Sequence, residues 1–276
     1  MKNNIVLIIG ENKNNSYFQK SIDVLSNRSD IDKIILVTWK TVNIGIIKSN
    51  CLIDVLLIPQ VKLTMGIEYQ KYLYDIGVKY INDNYKTEDT YVLKTRMDVL
   101  ISNQQLDYIF SQNYQIEHIK SELFKYKIWI AWTHITKPFY VEDCCFYSHI
   151  SVMPNLSPYV GELFMDQGHS HIRWFLLLAR IYNLYNDENL YDEYKNMNAE
   201  FTLNETKKDI LYKYINCIKN QFIIMTVQNG IYFRYHSGNN FYKKPSNKIT
   251  EIIEKKHPTN QKLVYNSTDF FDINII

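Results

Sequence analysis

The stretch Tyr91-Val92-Leu93-Lys94-Thr95-Arg96-Met97-Asp98 opens apolar and closes charged, and the chain leading up to it sets the fold. If the segment is extended, side chains alternate between faces, so Lys94, Arg96 and Asp98 share one face. The run reads as a strand from Tyr91 to Ile101. Before it, apolar residues at Tyr69, Tyr72, Leu73, Ile76, Tyr80 and Ile81 recur at the period of an amphipathic helix over 65–81. Further back lie three apolar runs: Ile5 to Ile9 closed by Gly10, Asp32 to Trp39, and Leu52 to Ile58 stopped by Pro59. Between the first two, Tyr17, Ile22 and Leu25 fall at helical spacing. Strands that are apolar throughout and alternate with helices belong to a mainly parallel sheet covered on both faces. The expected fold is therefore α/β and Rossmann-like, with ligands bound in a crevice at the carboxyl ends of the strands.

Beyond the charged strand the pattern is less regular. Lys127 to Trp132 and Cys144 to Met153 read as strands joined by an aromatic connection. Helices are expected over 155–165, 169–186 and 205–220, so the C-terminal part is mainly helical. Phe222 to Thr226 and Ile231 to Tyr235 are expected to form a hairpin across Asn229-Gly230, a dipeptide suited to a tight primed turn. No internal repeat or low-complexity linker interrupts the chain. One domain over 1–276 is expected, with a nucleotide-binding half (1–101), an acceptor and catalytic half (102–246) and a tail (247–276).

Composition narrows the class. With 276 residues, 46% apolar and 22% charged, the chain is long enough to bury one large core. A net charge of +2, with no basic run interleaved with aromatics, argues against a nucleic-acid partner. Most basic residues are Lys, so the five arginines, at 28, 96, 173, 180 and 234, stand out as candidates for phosphate or carboxylate. The cysteines Cys51, Cys144, Cys145 and Cys217 show no CxxC spacing, which fits a reduced, cytoplasmic setting. The first apolar run is too short for a signal peptide or a membrane span. No GxGxxG, P-loop, HExxH or GxSxG motif is present, which argues against dehydrogenases, P-loop kinases, zincins and serine hydrolases.

Three ionisable groups beside a core are costly unless paired or bound to a ligand. Two readings follow for the charged strand. In one, Arg96 contacts a phosphate or orients Asp98, and Asp98 holds a divalent metal or a sugar hydroxyl. In the other, the two form an ion pair at an exposed strand end. Lys94, nearer the buried end, reads as a supporting partner.

At these residues the chain resembles a family. Lys94-Thr95-Arg96-Met97-Asp98 is similar to the Lys-x-Arg-x-Asp signature of the WavE lipopolysaccharide-synthesis family of glycosyltransferases. Val37-Thr38-Trp39 resembles that family's Ser-Thr-Trp after the second strand, with Val in place of Ser. Pro138-Phe139-Tyr140-Val141-Glu142-Asp143 resembles its aromatic stretch ending in Asp before a strand. The resemblance implies a GT-A-type fold, a nucleotide-sugar donor, and sugar transfer to a glycan or lipid-linked acceptor during lipopolysaccharide, lipooligosaccharide or capsule assembly. His169, His171 and Arg173 stand where the family carries an acidic pair at a helix start.

The remaining candidates follow from position. Gly10, Glu11 and Asn12 end the first strand; Thr38 and Trp39 end the second, where a base or ribose would lie, or where a packed Trp would simply close the strand. Asp143 is the first candidate for general base if configuration inverts, with Glu142 beside it; a loop carboxylate capping local backbone is the plainer alternative. His236 is a candidate metal ligand for Mn²⁺ or Mg²⁺ together with Asp98, and Arg234 on the same stretch could reach a diphosphate. Lys243-Lys244 and 247–256 form a basic amphipathic tail, read first as a solvated surface helix and second as a peripheral contact with an anionic membrane. Two further functions stay open: transfer of a phosphoryl-type group onto a glycan, and a non-catalytic nucleotide- or sugar-binding module.

Overall fold

Isoleucine and valine crowd the first strand, and their branched side chains suit a sheet buried on both faces. In the computed structural model this strand is β1 (Asn3–Ile9), with Ile5 to Ile9 all buried. The structure describes residues 2–11, 15–45, 47, 52–63, 66–85, 88–113, 116, 124–130, 143–158, 174, 216–218, 220–224 and 234–235. After β1 come α1 (Asn15–Ser26), β2 (Lys33–Trp39), β3 (Ile53–Ile58), α2 (Gly66–Asn84), β4 (Thr90–Arg96), β5 (Val99–Leu100) and α3 (Asn103–Ser111). Then follow β6 (Ile128–Ile130), β7 (Phe146–His149), a 3-10 segment (Ile150–Leu156), β8 (Phe222–Ile224) and β9 (Arg234–Tyr235).

Seven strands form one sheet in the order β3-β2-β1-β4-β7-β6-β8, and β5 pairs with β9 in a separate ribbon. The β1–β2, β2–β3, β1–β4 and β6–β8 pairings are parallel; β7 runs antiparallel to both its neighbours. The expected α/β, mainly parallel, Rossmann-like arrangement is therefore present. From β1 the chain steps outward through β2 to β3, then returns to place β4 on the other side of β1. The topological switch point lies between β1 and β4, where open α/β sheets leave a crevice.

Both faces are covered. α2 lays Leu73, Tyr74, Val78 and Ile81 against Leu7, Ile9, Val37 and Val92. α1 and α3 cover the other face with Phe18, Ile22, Leu25, Leu106 and Ile109 against Val6, Ile8, Leu36 and Leu93. Each such fully buried side chain contributes roughly 1.5–3 kcal/mol relative to exposure. Gly77 lets α2 approach the sheet closely, since a Cβ there would sit 2.5 Å from a Leu7 methyl and 3.2 Å from a Val37 methyl.

Several expectations need correction. The strand from Tyr91 to Ile101 breaks at Met97-Asp98, so Asp98 stands on a turn and not on the strand that carries Lys94 and Arg96. The run from Leu52 to Ile58 is not buried throughout: β3 is an edge strand with Val55 and Leu57 exposed. The strand over Cys144 to Met153 stops at His149, where the ring caps the Ser151 amide and a 3-10 turn containing Pro154 follows. Of the expected hairpin, only Phe222–Ile224 and Arg234–Tyr235 lie among the described residues, where β8 joins β6 and β9 joins β5. The helix α3 was not expected. Its signal is Ser102-x-x-Gln105, a capping box in which Ser102 accepts from the Gln105 amide and Gln105 reaches back to the Ser102 amide. The helix over 169–186 apart from Trp174, most of those over 155–165 and 205–220, the Asn229-Gly230 turn and the tail 247–276 lie outside the described residues. Among the described residues no helix is long and apolar enough to cross a membrane.

Candidate functional site

The carboxyl ends of β1, β2 and β4 lie side by side. Ile9 is registered opposite Arg96 on one side and Val37 on the other. Gly10 follows with φ of 114°, a conformation that other L residues rarely adopt, and turns the chain off the sheet. Thr38 is fully buried, and its hydroxyl donates to the Gly10 carbonyl at 2.7 Å, tying the end of β2 to that turn. Trp39 is also buried. Its ring meets Tyr69 edge-on at 5.5 Å and stacks on Tyr72 at 5.9 Å, so it belongs to the core beneath α2.

Past the end of β4 the Met97 amide donates to the Ile9 carbonyl at 3.2 Å, which holds the chain against β1 for one more residue. The turn then brings the Asp98 carboxylate back to Arg96. Nε donates to Oδ1 at 2.9 Å and Nη2 to Oδ2 at 2.6 Å, a two-pronged pairing. Nη1 donates to the Cys144 sulfur at 3.3 Å, and the Cys144 thiol donates to Asp143 Oδ1 at 3.3 Å. A guanidinium has five N–H bonds. Three are directed at Asp98 and Cys144, so among the described residues one remains on each terminal nitrogen. The Arg96 side chain is 20% exposed and that of Asp98 3%, so the pair is anchored by its buried carboxylate while part of the guanidinium side chain reaches the surface.

Burial works against the Arg96 charge, but the electron-rich Cys144 sulfur and the carboxylates of Asp143 and Asp98 outweigh it and raise the guanidinium well above its ordinary value. Arg96 is thus a fixed cation.

Lys94 lies inside the core and not at the crevice. It is fully buried, donates to the Asp143 backbone carbonyl, and holds its ammonium 4.0 Å from the Trp174 ring centroid and 5.2 Å from that of Phe146. Asp143 is likewise fully buried. The structure therefore brings Gly10, Thr38, Lys94, Arg96, Asp98 and Asp143 to one end of the sheet, with Lys94, Thr38 and Asp143 below the surface.

The ribbon of β5 and β9 brings a distant segment to the same place. Val99 pairs with Tyr235 and Leu100 with Arg234, so the Arg234 backbone lies two residues along from Asp98. His236, Glu142, His169, His171 and Arg173 lie outside the described residues. Among the described residues no group of three His, Cys, Asp or Glu side chains is placed to hold a metal ion.

Sequence reasoning missed Cys144. The β4–β7 register pairs Lys94 with Phe146, and counting outward in that antiparallel ladder sets position 144 opposite Arg96. That relation exists only once the strands are paired.

Together these features define an α/β protein of Rossmann-like topology with a cluster of charged side chains at its switch point. No family model matches the chain, and no curated protein matches it. Among solved structures it is similar to a 4-diphosphocytidyl-2C-methyl-D-erythritol synthase (8% identity, 65% of this chain, 86% of that one, TM-score 0.39). It is also similar to a protein of the same name from Anaerococcus prevotii (12% identity, 83% of this chain, 90% of that one, TM-score 0.36). A cytidylyltransferase from Leptospira borgpetersenii matches at 8% identity, over 67% of this chain and 72% of that one, with a TM-score of 0.34. At these scores the likeness decides nothing about chemistry, and the functional reading rests on the residues at the crevice.

Proposed function

We propose that the protein is a glycosyltransferase that moves a sugar from a nucleotide-sugar donor to a surface glycan or lipid-linked acceptor. One observation carries the reading. Arg96 is a fixed cation at the switch point of the sheet, held by Asp98 and Cys144, with an N–H left on each terminal nitrogen and its side chain 20% exposed. Sugar transfer from such a donor must stabilise a leaving diphosphate, and a preorganised, partly desolvated cation is the electrostatic device that does so. The WavE-like Lys-x-Arg-x-Asp residues are the ones that build this arrangement.

Charge counting extends the proposal. Among the described residues Lys94 and Arg96 are balanced by Asp98 and Asp143, so these four groups are formally neutral. A diphosphate therefore needs further positive charge. A divalent cation bound through Asp98 would supply it as a Lewis acid. Asp98 suits that duty in type, being a carboxylate at the switch point whose two oxygens a cation would share with Arg96. His236, which follows β9 in the sequence, is the candidate second ligand in this reading. Arg234 is the second source of charge on that ribbon. In this reading Gly10 and the end of β2 line the nucleotide pocket by their backbone, with Thr38 and Trp39 shaping it from within.

The test is product analysis on a nucleotide-sugar panel, with and without Mn²⁺, in the parent and in Asp98→Ala. The account predicts a metal-stimulated sugar transfer or donor hydrolysis that Asp98→Ala removes. Full activity in that variant would remove Asp98 from the site. Phosphorus rather than sugar in the product would replace the reaction class, and nucleotide binding without turnover would leave a binding module.

A further inference from the structure

Arg96 has a long side chain with many rotamers, and Asp98 alone grips a single edge of it. A second grip comes from another strand. Cys144, just before β7, accepts from Nη1 at 3.3 Å, and its own thiol proton is directed at Asp143 at 3.3 Å. Asp143 is pinned in turn through its backbone carbonyl by the buried Lys94 ammonium, which rests over Trp174. The line Lys94–Asp143–Cys144–Arg96 thus runs from the core to the crevice. A thiol suits the link because sulfur serves as acceptor and donor at once.

We infer that Cys144 and Asp143 are positioning residues that fix the plane of the Arg96 guanidinium, so that its free N–H bonds meet a phosphate without reorganisation. This assigns Asp143 a different duty from that of general base. A base must touch the hydroxyl it deprotonates, whereas Asp143 is fully buried behind Cys144. The consequence for catalysis rests on the proposed glycosyltransferase reading; the positional claim does not.

The experiment has two readouts on the full-length chain. The first is the Arg96 Nε–H resonance, which with five arginines in the chain can be assigned by its loss in Arg96→Lys. Cys144→Ala and Asp143→Asn are expected to move or broaden it, and Cys144→Ser to restore it in part. The second is donor kinetics, in which Cys144→Ala should raise KM about tenfold, the equivalent of roughly one hydrogen bond, and Cys144→Ser should recover much of that. The inference is overturned if the resonance is unchanged in both Cys144→Ala and Asp143→Asn. It is also overturned if Asp143→Asn abolishes kcat and the acidic limb of its pH profile while the resonance stays put, because Asp143 would then be the base. Should Cys144→Ala not fold, Cys144→Ser and Asp143→Asn carry the same test. Failure of the parent to bind any nucleotide would defeat the glycosyltransferase reading and leave the resonance test standing.

Discussion

Replacing Arg96 by Lys keeps the charge and removes the fork. Arg96 directs two N–H bonds at Asp98, at 2.9 and 2.6 Å, and a third at Cys144. A single ammonium can reach one Asp98 oxygen but cannot reproduce the parallel pair and the sulfur contact together. At least one hydrogen bond to a carboxylate that is 3% exposed is lost, at a net cost of about 1.5–3 kcal/mol. Because the Arg96 side chain is 20% exposed, water can enter and offset part of this, so about 2 kcal/mol is expected. For a chain of this size that corresponds to a fall in Tm of roughly 4–8 °C. The assay is thermal or urea unfolding of parent, Arg96→Lys, Asp98→Asn and the double variant. The two single costs should not add, because each variant breaks the same contact. A Tm within about 1 °C of the parent in Arg96→Lys, or strict additivity in the double variant, would refute the claim that the pair is mutually anchored.

Three further predictions concern the frame around the site. Gly77→Val should destabilise the protein by about 1–3 kcal/mol in urea titration, since any Cβ there meets Leu7 at 2.5 Å inside a filled core. Ser102→Ala removes the capping box of α3 and should cost about 1 kcal/mol while leaving nucleotide affinity unchanged, measured by unfolding and titration in parallel. Asp54 pairs with Lys33 at 2.8 Å and accepts from Tyr85 at 2.9 Å and Tyr80 at 3.1 Å. Burial raises its pKa, but these partners outweigh burial and hold it below the ordinary carboxylate value. A lowered folded pKa stabilises the protein above the unfolded value of about 3.9, and that stability is lost as pH falls through the folded value. Asp54→Asn should therefore destabilise at pH 7, and its difference from the parent should shrink below about pH 4 in a series of urea midpoints.

The sheet was legible because its strands are apolar on both faces, which leaves few alternatives to a covered parallel arrangement. The turn at Met97-Asp98 was hidden because alternation continues through it: Asp98 rejoins Arg96 by folding back, and an unbroken strand would put it on the same side. The edge character of β3 was hidden too, since Leu52 to Ile58 looks like a central strand until its neighbour is known. Arg96 and Asp98 could be read as a pair from their spacing and chemistry. Cys144 could not, because its contact comes from the β4–β7 ladder and no local pattern marks it. Asp143 and Lys94 were picked out by their charge, but only packing shows them to lie beneath the crevice and not in it.

The most direct test of the central claim is calorimetric titration of UDP, GDP and CMP, each with and without Mn²⁺, into the parent and Arg96→Lys. The account predicts that one nucleoside diphosphate binds the parent, more tightly with Mn²⁺, and that Arg96→Lys weakens it at least tenfold, about 1.4 kcal/mol. No binding to the parent, or equal affinity for the folded variant, would contradict it.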